Sequence, residues 1–301
     1  MPRPAPKASP QPPGTLLGAH FSIAKGLHHA VYEATGYGCT ALQIFTKNAG
    51  TWKERTVSQK EIDLFEKART DTGISQIAAH TAYLINIASI EKKKYAISCH
   101  ALSQEMVRAS ALGIPYVILH PGSHMGTGVS AGIKLIADSL NRIFDALPPS
   151  KSRLLLETTA GQGTNIGHTF EQIASIMARV TDKDRIGACL DTCHIFAAGY
   201  DIRTRATYAG TMAAFDRIVG LENLYLIHVN DSKKAFGSRI DRHEHVGVGL
   251  IGSDGFGFLM NDNRFARIPK IIETPKTNDG KDYDFINLDL LRSLIKGPKT
   301  P

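Results

Sequence analysis

The sequence predicts an α/β chain folded as a single (β/α)8 TIM barrel over residues 15–301, with its active site at the C-terminal ends of the strands. Three observations carry this expectation. Eight short apolar runs each finish on a polar side chain. The run ends recur every ~26–45 residues, the spacing of a βα unit. The stretches between them place apolar residues at helical period, and no linker or shift in composition interrupts the alternation. A doubly wound open sheet is the alternative architecture.

The strand-like runs end at His20, Thr46, His80, His120, Glu157, Asp191, His228 and Glu273. A buried strand has no use for an imidazole or a carboxylate unless that group meets a partner. Eight such endings in register point to strand tips facing one shared site. The first helix is expected over Ile23 to Ala34. A second begins after Ser58, which forms a capping box with Glu61 and leads Ile62, Phe65 and Ala68 along one face. A third covers about Lys92 to Leu112, and a fourth Val129 to Leu147 with Ile133, Ile136, Leu140 and Ile143 inward. Thr169 caps the next, with Gln172 three residues on, and Thr211–Val219 and Asp254–Met260 are shorter candidates. Residues 1–14 carry proline at every second or third position, which blocks helix and ladder alike, and read as a disordered tail.

Hydrophobic content of 43% supports a substantial core, and the net charge of +7 favours a polyanionic partner. The four cysteines form no C-x-x-C pair, so reduced thiols and an intracellular, cytoplasmic setting are expected, at the nucleoid in a bacterium. No apolar run approaches the ~18 residues of a membrane span, so no membrane partner is expected.

His80, His120, Glu157, Asp191, His228 and Glu273 are nitrogen and oxygen donors, and no cysteine stands at a tip. Alone, any of these reads as a satisfied histidine or a carboxylate paired with arginine. Three converging carboxylates without cations would repel strongly, and divalent metal relieves that. Imidazole plus carboxylate suits zinc or manganese. The string Asp191-Thr-Cys-His194 adds a histidine, and Asp241-Arg-His243 adds two donors in a polar loop, so that His194, Asp241 and His243 have the composition of a separate three-ligand site. Clustered divalent cations are a device for phosphodiester hydrolysis, which fits the basic balance of the chain. A metal-dependent sugar isomerase or epimerase, and a DNA-binding protein without catalysis, are the other readings of these residues.

The motifs closely resemble those of the endonuclease IV family of apurinic/apyrimidinic endonucleases. They are Gly18-Ala-His-Phe-Ser22, Phe45-Thr-Lys-Asn48 with Trp52, Tyr83-Leu84-Ile-Asn86, His120-Pro-Gly-Ser-His124, Glu157-Thr-Thr-Ala-Gly-Gln-Gly163, Asp191-Thr-Cys-His-Ile-Phe-Ala-Ala-Gly-Tyr-Asp201, His228-Val-Asn-Asp231, Phe236-Gly-Ser-Arg-Ile-Asp-Arg-His243 and Ile271-Ile-Glu-Thr274. The resemblance spans about residues 15–297. It implies a monomeric TIM barrel holding three zinc ions, with manganese an alternative at one position. By that resemblance His80, His120 and Glu157 bind the first ion. Glu157 bridges to a second completed by Asp191, His228 and Glu273, and His194, Asp241 and His243 bind the third. It implies cleavage 5′ to abasic sites in double-stranded DNA, leaving a 3′-hydroxyl and a 5′-deoxyribose phosphate, and trimming of blocked 3′ ends. Glu157 and Glu273 are the implied catalytic carboxylates.

The resemblance further implies that Tyr83 and Leu84 enter the minor groove beside the lesion. Lys47, Asn230 and Arg239 are further expected DNA contacts, with Asn230 also a candidate for holding the backbone and Lys233 for solvated charge. His20 and His124 read as supporting residues rather than ligands. Two positions depart from the family: Gly50 stands where an arginine is common, and Val248 where a charged residue is. Gly247 to Gly252 matches G-x-G-x-x-G, but Asp-Arg-His-Glu-His before it cannot be a buried strand, so it reads as a turn.

Overall fold

The computed structural model describes residues 15–278 and 280–296; the proline-rich segment 1–14 lies outside the described residues. Eight parallel strands close into a barrel. They are β1 (Leu17–Phe21), β2 (Ala41–Ile44), β3 (Gln76–His80), β4 (Tyr116–Leu119), β5 (Arg153–Glu157), β6 (Ile186–Asp191), β7 (Leu224–His228) and a closing strand, Lys270–Ile272, which pairs with both β7 and β1. Closure leaves no open edge.

Side-chain alternation along these strands builds two cores. Ala41, Ala78, Ile118, Leu155, Cys189, Leu226 and Ile271 form a separate buried cluster, one residue from each of seven strands. Two residues further along each chain come Gln43, His80, His120, Glu157, Asp191, His228 and Glu273. Because side chains repeat every second residue on one face, the apolar plug of the barrel and the polar mouth above it are successive layers of the same inward face. The eighth strand, β1, lies close against β2: a Cβ on Gly18 would lie 1.7 Å from the Ala41 carbonyl oxygen, so only glycine fits there.

The other strand face packs on the helices through a larger core that includes Phe65, Phe170, Phe196, Phe215 and Phe256. α1 (Leu27–Gly36) starts four residues later than the apolar pattern predicts, after Gly26 at φ 118°. α2 (Gln59–Thr72) carries the expected capping box, α3 spans Lys92–Ala111 and α4 spans Val129–Ala146. The Thr169 hydroxyl caps α5 (Phe170–Arg179). α6 (Thr192–Ala198) is absent from the expected elements; it springs directly from the β6 tip because the Asp191 carboxylate accepts the His194 N–H at 2.8 Å. α7 (Arg205–Ile218) begins six residues before the predicted start, capped by Thr204 with threonine rather than glutamate at the third position. α8 (Ser253–Met260) agrees with expectation, and α9 (Tyr283–Ser293), capped by Asp282, has no counterpart in the predicted elements.

Lys270 makes a testable feature of the closing strand. Its ammonium is buried and donates to the carbonyls of Phe265 at 2.6 Å and Ile268 at 3.1 Å. Burial pulls its pKa down to about 8. The folded state therefore sheds this proton before the unfolded state does. Between pH 8 and the ordinary lysine range the unfolded chain binds more protons, so this group adds stability as pH rises and loses it as pH falls through about 8. The stability of the native protein relative to Lys270→Met should rise by about 3 kcal/mol from pH 7.5 to 10.5, read as the difference in denaturant midpoints. A pH-independent difference would contradict this.

Candidate metal centre at the barrel mouth

The strand tips and the loops beside them bring four carboxylates and five imidazoles together. Glu157, fully buried on β5, is the hub. Its Oε2 lies 3.2 Å from His80 Nε2 and 3.1 Å from His120 Nε2. Its Oε1 lies 3.0 Å from His228 Nδ1 and 3.3 Å from His194 Nδ1. His228 Nδ1 is also 3.3 Å from Glu273 Oε2 and 3.9 Å from Asp191 Oδ2. Beyond them, His194 Nε2 lies 3.1 Å from Asp241 Oδ2, and His243 Nε2 lies 3.4 Å from Asp241 Oδ1. The donor atoms fall into three compact groups, each within 4.8 Å: His80, His120 and Glu157; Glu157, Asp191, His228 and Glu273; and His194, Asp241 and His243.

A further grouping, Asp191, Cys193 and His243, meets the same distance limit. Burial pushes the Cys193 thiol up to about 12, and it donates weakly to the Arg242 carbonyl, so it serves as a packed thiol.

Backbone carbonyls orient the rings. His80 Nδ1 donates to Thr81 O at 2.7 Å, His194 Nδ1 to Thr158 O at 2.8 Å and His243 Nδ1 to Glu273 O at 3.2 Å, which leaves each Nε2 facing the cluster. His228 is turned the other way: its Nε2 donates to Gln43 Oε1 at 2.8 Å and its Nδ1 faces the carboxylates. Gln43 also donates to Glu273 Oε1 at 2.5 Å and meets His20 Nδ1 at 3.0 Å. Thr46, the expected tip of the second run, does not reach the mouth. β2 ends earlier, and its inward residue is Gln43. Thr46 instead donates to Glu105 and accepts from Arg108 in a buried network behind the site. The only signal for Gln43 in the sequence is a lone amide two residues after an inward alanine.

The charges at the mouth hold one another in place. Burial alone would raise the Glu157 carboxyl, but His228 and His120 hold it well below the usual range. Burial likewise disfavours charge on His194 and His228 but is outweighed in both: Asp191 and Asp241 raise His194, and Cys189, Glu273 and Glu157 raise His228. Burial pushes the Glu273 carboxyl up as well, and His228 overrides it and holds the group down to about 2. His20, by contrast, is pulled down to about 3 by burial and stays neutral beside Gln43.

Two expected DNA contacts take other roles. Asn230 is fully buried: its amide donates to Asp191 Oδ2 at 2.6 Å and its oxygen accepts the Glu273 N–H at 2.7 Å, so it ties two strand tips together and cannot reach a phosphate. Lys47 is 4% exposed, and its ammonium donates to Thr51 O at 2.6 Å and pairs with Glu54 at 3.5 Å, so it braces its own loop. Arg239 is exposed, and Tyr83 and Leu84 stand at the rim, 71% and 41% exposed. The Tyr83 ring packs edge-on against Phe45. His124 accepts N–H bonds from Gly126 and Gly128 and closes its loop.

The glycine-rich stretch wraps a carboxylate of the protein itself. Buried Asp231 accepts the N–H groups of Gly247, Gly249, Ile251, Gly252 and Ser232 at 2.7–3.3 Å. A Cβ on Gly249 would lie 2.5 Å from Asp231 Oδ1. This nest anchors the loop that carries Asp241 and His243, because Asp231–Ser232 pairs with His243–Glu244. Asp231→Ala would strand those donors at a cost of roughly 3 kcal/mol. It is expected to lower the melting temperature and to weaken metal binding at the His194–Asp241–His243 group first; an unchanged melting curve would contradict the anchoring role.

A parallel barrel with a donor-rich mouth defines the class: residues 31–294 match the family of xylose isomerase-like TIM barrels. Within it the chain belongs to the endonuclease IV family and is a nuclease hydrolase. It is 46% identical over 280 residues to the probable endonuclease 4 of Geobacter sulfurreducens, covering 93% of this chain and 94% of that one. It is 47% identical over 278 residues to the probable endonuclease 4 of Trichlorobacter lovleyi, covering 92% and 99%. Endonuclease IV from Thermus thermophilus superposes with a TM-score of 0.81 at 34% identity, covering 95% of this chain and 98% of that one. A D-tagatose 3-epimerase-like protein, at 17% identity and a TM-score of 0.69, shares the fold alone.

Proposed function

We propose that the protein hydrolyses the phosphodiester 5′ to abasic sites in double-stranded DNA, leaving a 3′-hydroxyl and a 5′-deoxyribose phosphate, and also trims blocked 3′ ends. The observation that carries this reading is the donor set. Four carboxylates converge at the mouth, and among the described residues no lysine or arginine forms an ion pair with Glu157, Asp191, Asp241 or Glu273. Nitrogen and oxygen donors whose only counter-charge is imidazole fit divalent cations, and zinc best. His80, His120 and Glu157 would hold one, Glu157, Asp191, His228 and Glu273 a second, and His194, Asp241 and His243 a third. Bound there, such ions supply a hydroxide near neutral pH and neutralise phosphoryl and leaving-oxygen charge.

The chain's own residues do the rest. Glu157 spans two donor groups with its two oxygens and fixes their separation. Glu273, 16% exposed where Glu157 is wholly buried, reaches furthest toward the mouth among the carboxylates of its group and orients the attacking group. Tyr83 and Leu84 offer apolar surface to a groove edge, and Arg239 a cation to a phosphate. An abasic nucleotide has no base to unstack, so turning it into the mouth costs less than turning an intact one, and selectivity follows.

The test is an end-labelled duplex with one abasic analogue, incubated with purified protein with and without a strong chelator. The expected result is a single cut 5′ to the lesion, lost slowly on chelation and restored by zinc, with about three metal ions per chain by elemental analysis. An intact duplex, or cutting that ignores the chelator, would refute the proposal.

A further inference from the structure

Only two non-glycine residues among those described have a left-handed backbone, Met125 at φ 50° and Arg239 at φ 54°. Both are exposed, and both lie on loops at the mouth. A long unbranched side chain in that region costs roughly 1 kcal/mol against glycine, so a structure that holds one there has a reason to present it. For Met125 the reason is not packing, since the side chain is 50% exposed.

The loop around Met125 is built to hold it out. His124 Nδ1 accepts the N–H groups of Gly126 at 3.3 Å and Gly128 at 3.1 Å, and His124 O accepts the Thr127 N–H at 2.9 Å and its hydroxyl at 2.8 Å. The His124 N–H donates to Thr164 O at 3.0 Å, which fixes the turn to the loop after β5. On the other side, Asn86 exchanges two bonds with the Ser123 backbone, donating to its carbonyl at 3.0 Å and accepting its N–H at 3.0 Å. Asn86 belongs to the same loop as Tyr83 and Leu84. Three exposed apolar side chains thus stand on two loops bolted to each other beside His80 and His120.

We propose that Met125 is a specificity-determining residue of the DNA interface, a third apolar contact that packs with Tyr83 and Leu84 against the sugar and base edges flanking a lesion. Apolar side chains of this kind wedge against base steps in the minor groove, and a locked turn presents one without an ordering cost. The inference rests on the abasic-endonuclease reading above.

The strain supplies the test, because its removal and the loss of the contact read out in opposite directions. Met125→Gly relaxes the backbone while deleting the side chain, and Met125→Leu keeps both apolar bulk and backbone. In the full-length protein, Met125→Gly should melt at the native temperature or up to about 2 °C above it. It should raise KM for an abasic duplex about 10-fold with kcat nearly unchanged, and undamaged duplex should compete more effectively. Met125→Leu should stay within about 2-fold of native. A KM for Met125→Gly within about 2-fold of native overturns the inference. So does a rise in KM accompanied by a fall of several degrees in melting temperature, which would mark a structural role. If the native protein itself fails to cut the abasic duplex, the parent reading fails and takes this inference with it.

Discussion

Glu157→Gln is expected to reduce cleavage by at least about 10³-fold and to lower the metal content of the protein. Glu157 is the one side chain within reach of both inner donor groups. Each of its oxygens serves a different pair of histidines, His80 and His120 on one side and His228 and His194 on the other. Glutamine has the same shape and keeps one oxygen. Its NH2 group carries donors where a cation would sit, and the amide has no charge to offset one. Whichever way it turns, one donor group loses the oxygen that Glu157 gives it. The fold should survive, since β5 is held by Leu154, Leu155 and Leu156 in the two cores. The checks are single-turnover cleavage, zinc per chain by elemental analysis and the melting curve. Full metal content together with native cleavage would mean that the hub has been misread; loss of folding would be answered by Glu157→Asp, which keeps the charge.

The barrel was legible in the sequence because strand ends are local features. A run such as Arg153-Leu-Leu-Leu-Glu157 shows the residue that leaves the apolar interior. Alternation then puts six tip donors on one face without any knowledge of distant contacts. The third donor group was less legible, since His194, Asp241 and His243 come from a helix start and a loop, and only composition and family resemblance joined them. The missing signals are tertiary. Gln43 looks like a stray amide in an apolar strand until His228 and Glu273 are seen beside it. Lys47 looks like a free cation because nothing in the sequence reveals that Glu54 and the Thr51 carbonyl close on it. Asn230 reads equally well as a brace and as a DNA contact until its burial decides for the brace. α6 escapes notice because it is seven residues long and capped by an aspartate already assigned to chemistry. α9 is amphipathic only weakly, with Leu288 and Leu291 inward and Ile286 exposed.

Glu273→Gln separates chemistry from assembly. Glu273 shares the second donor group with Glu157, Asp191 and His228, but its surroundings differ. It follows the closing strand instead of lying within one, its N–H is held by Asn230, and its Oε1 is held by Gln43. Its Oε2 is the oxygen left to face His228 Nδ1 and the open mouth. A carboxylate braced in this way with one oxygen free is suited to holding a reacting group in line, and His228 beside it holds its pKa below the usual carboxylate range despite burial. The amide variant keeps the Oε1 contact only by turning its NH2 toward the cluster, which removes the acceptor. Cleavage of an abasic duplex should therefore fall about 10³-fold in kcat, while its Kd shifts by less than about 3-fold, because Tyr83, Leu84 and Arg239 lie outside the change. Zinc content should fall by about one ion per chain at most, against the larger loss expected for Glu157→Gln. Kd rising in step with the loss of rate would assign Glu273 to binding, and turnover at the native rate would remove it from the site.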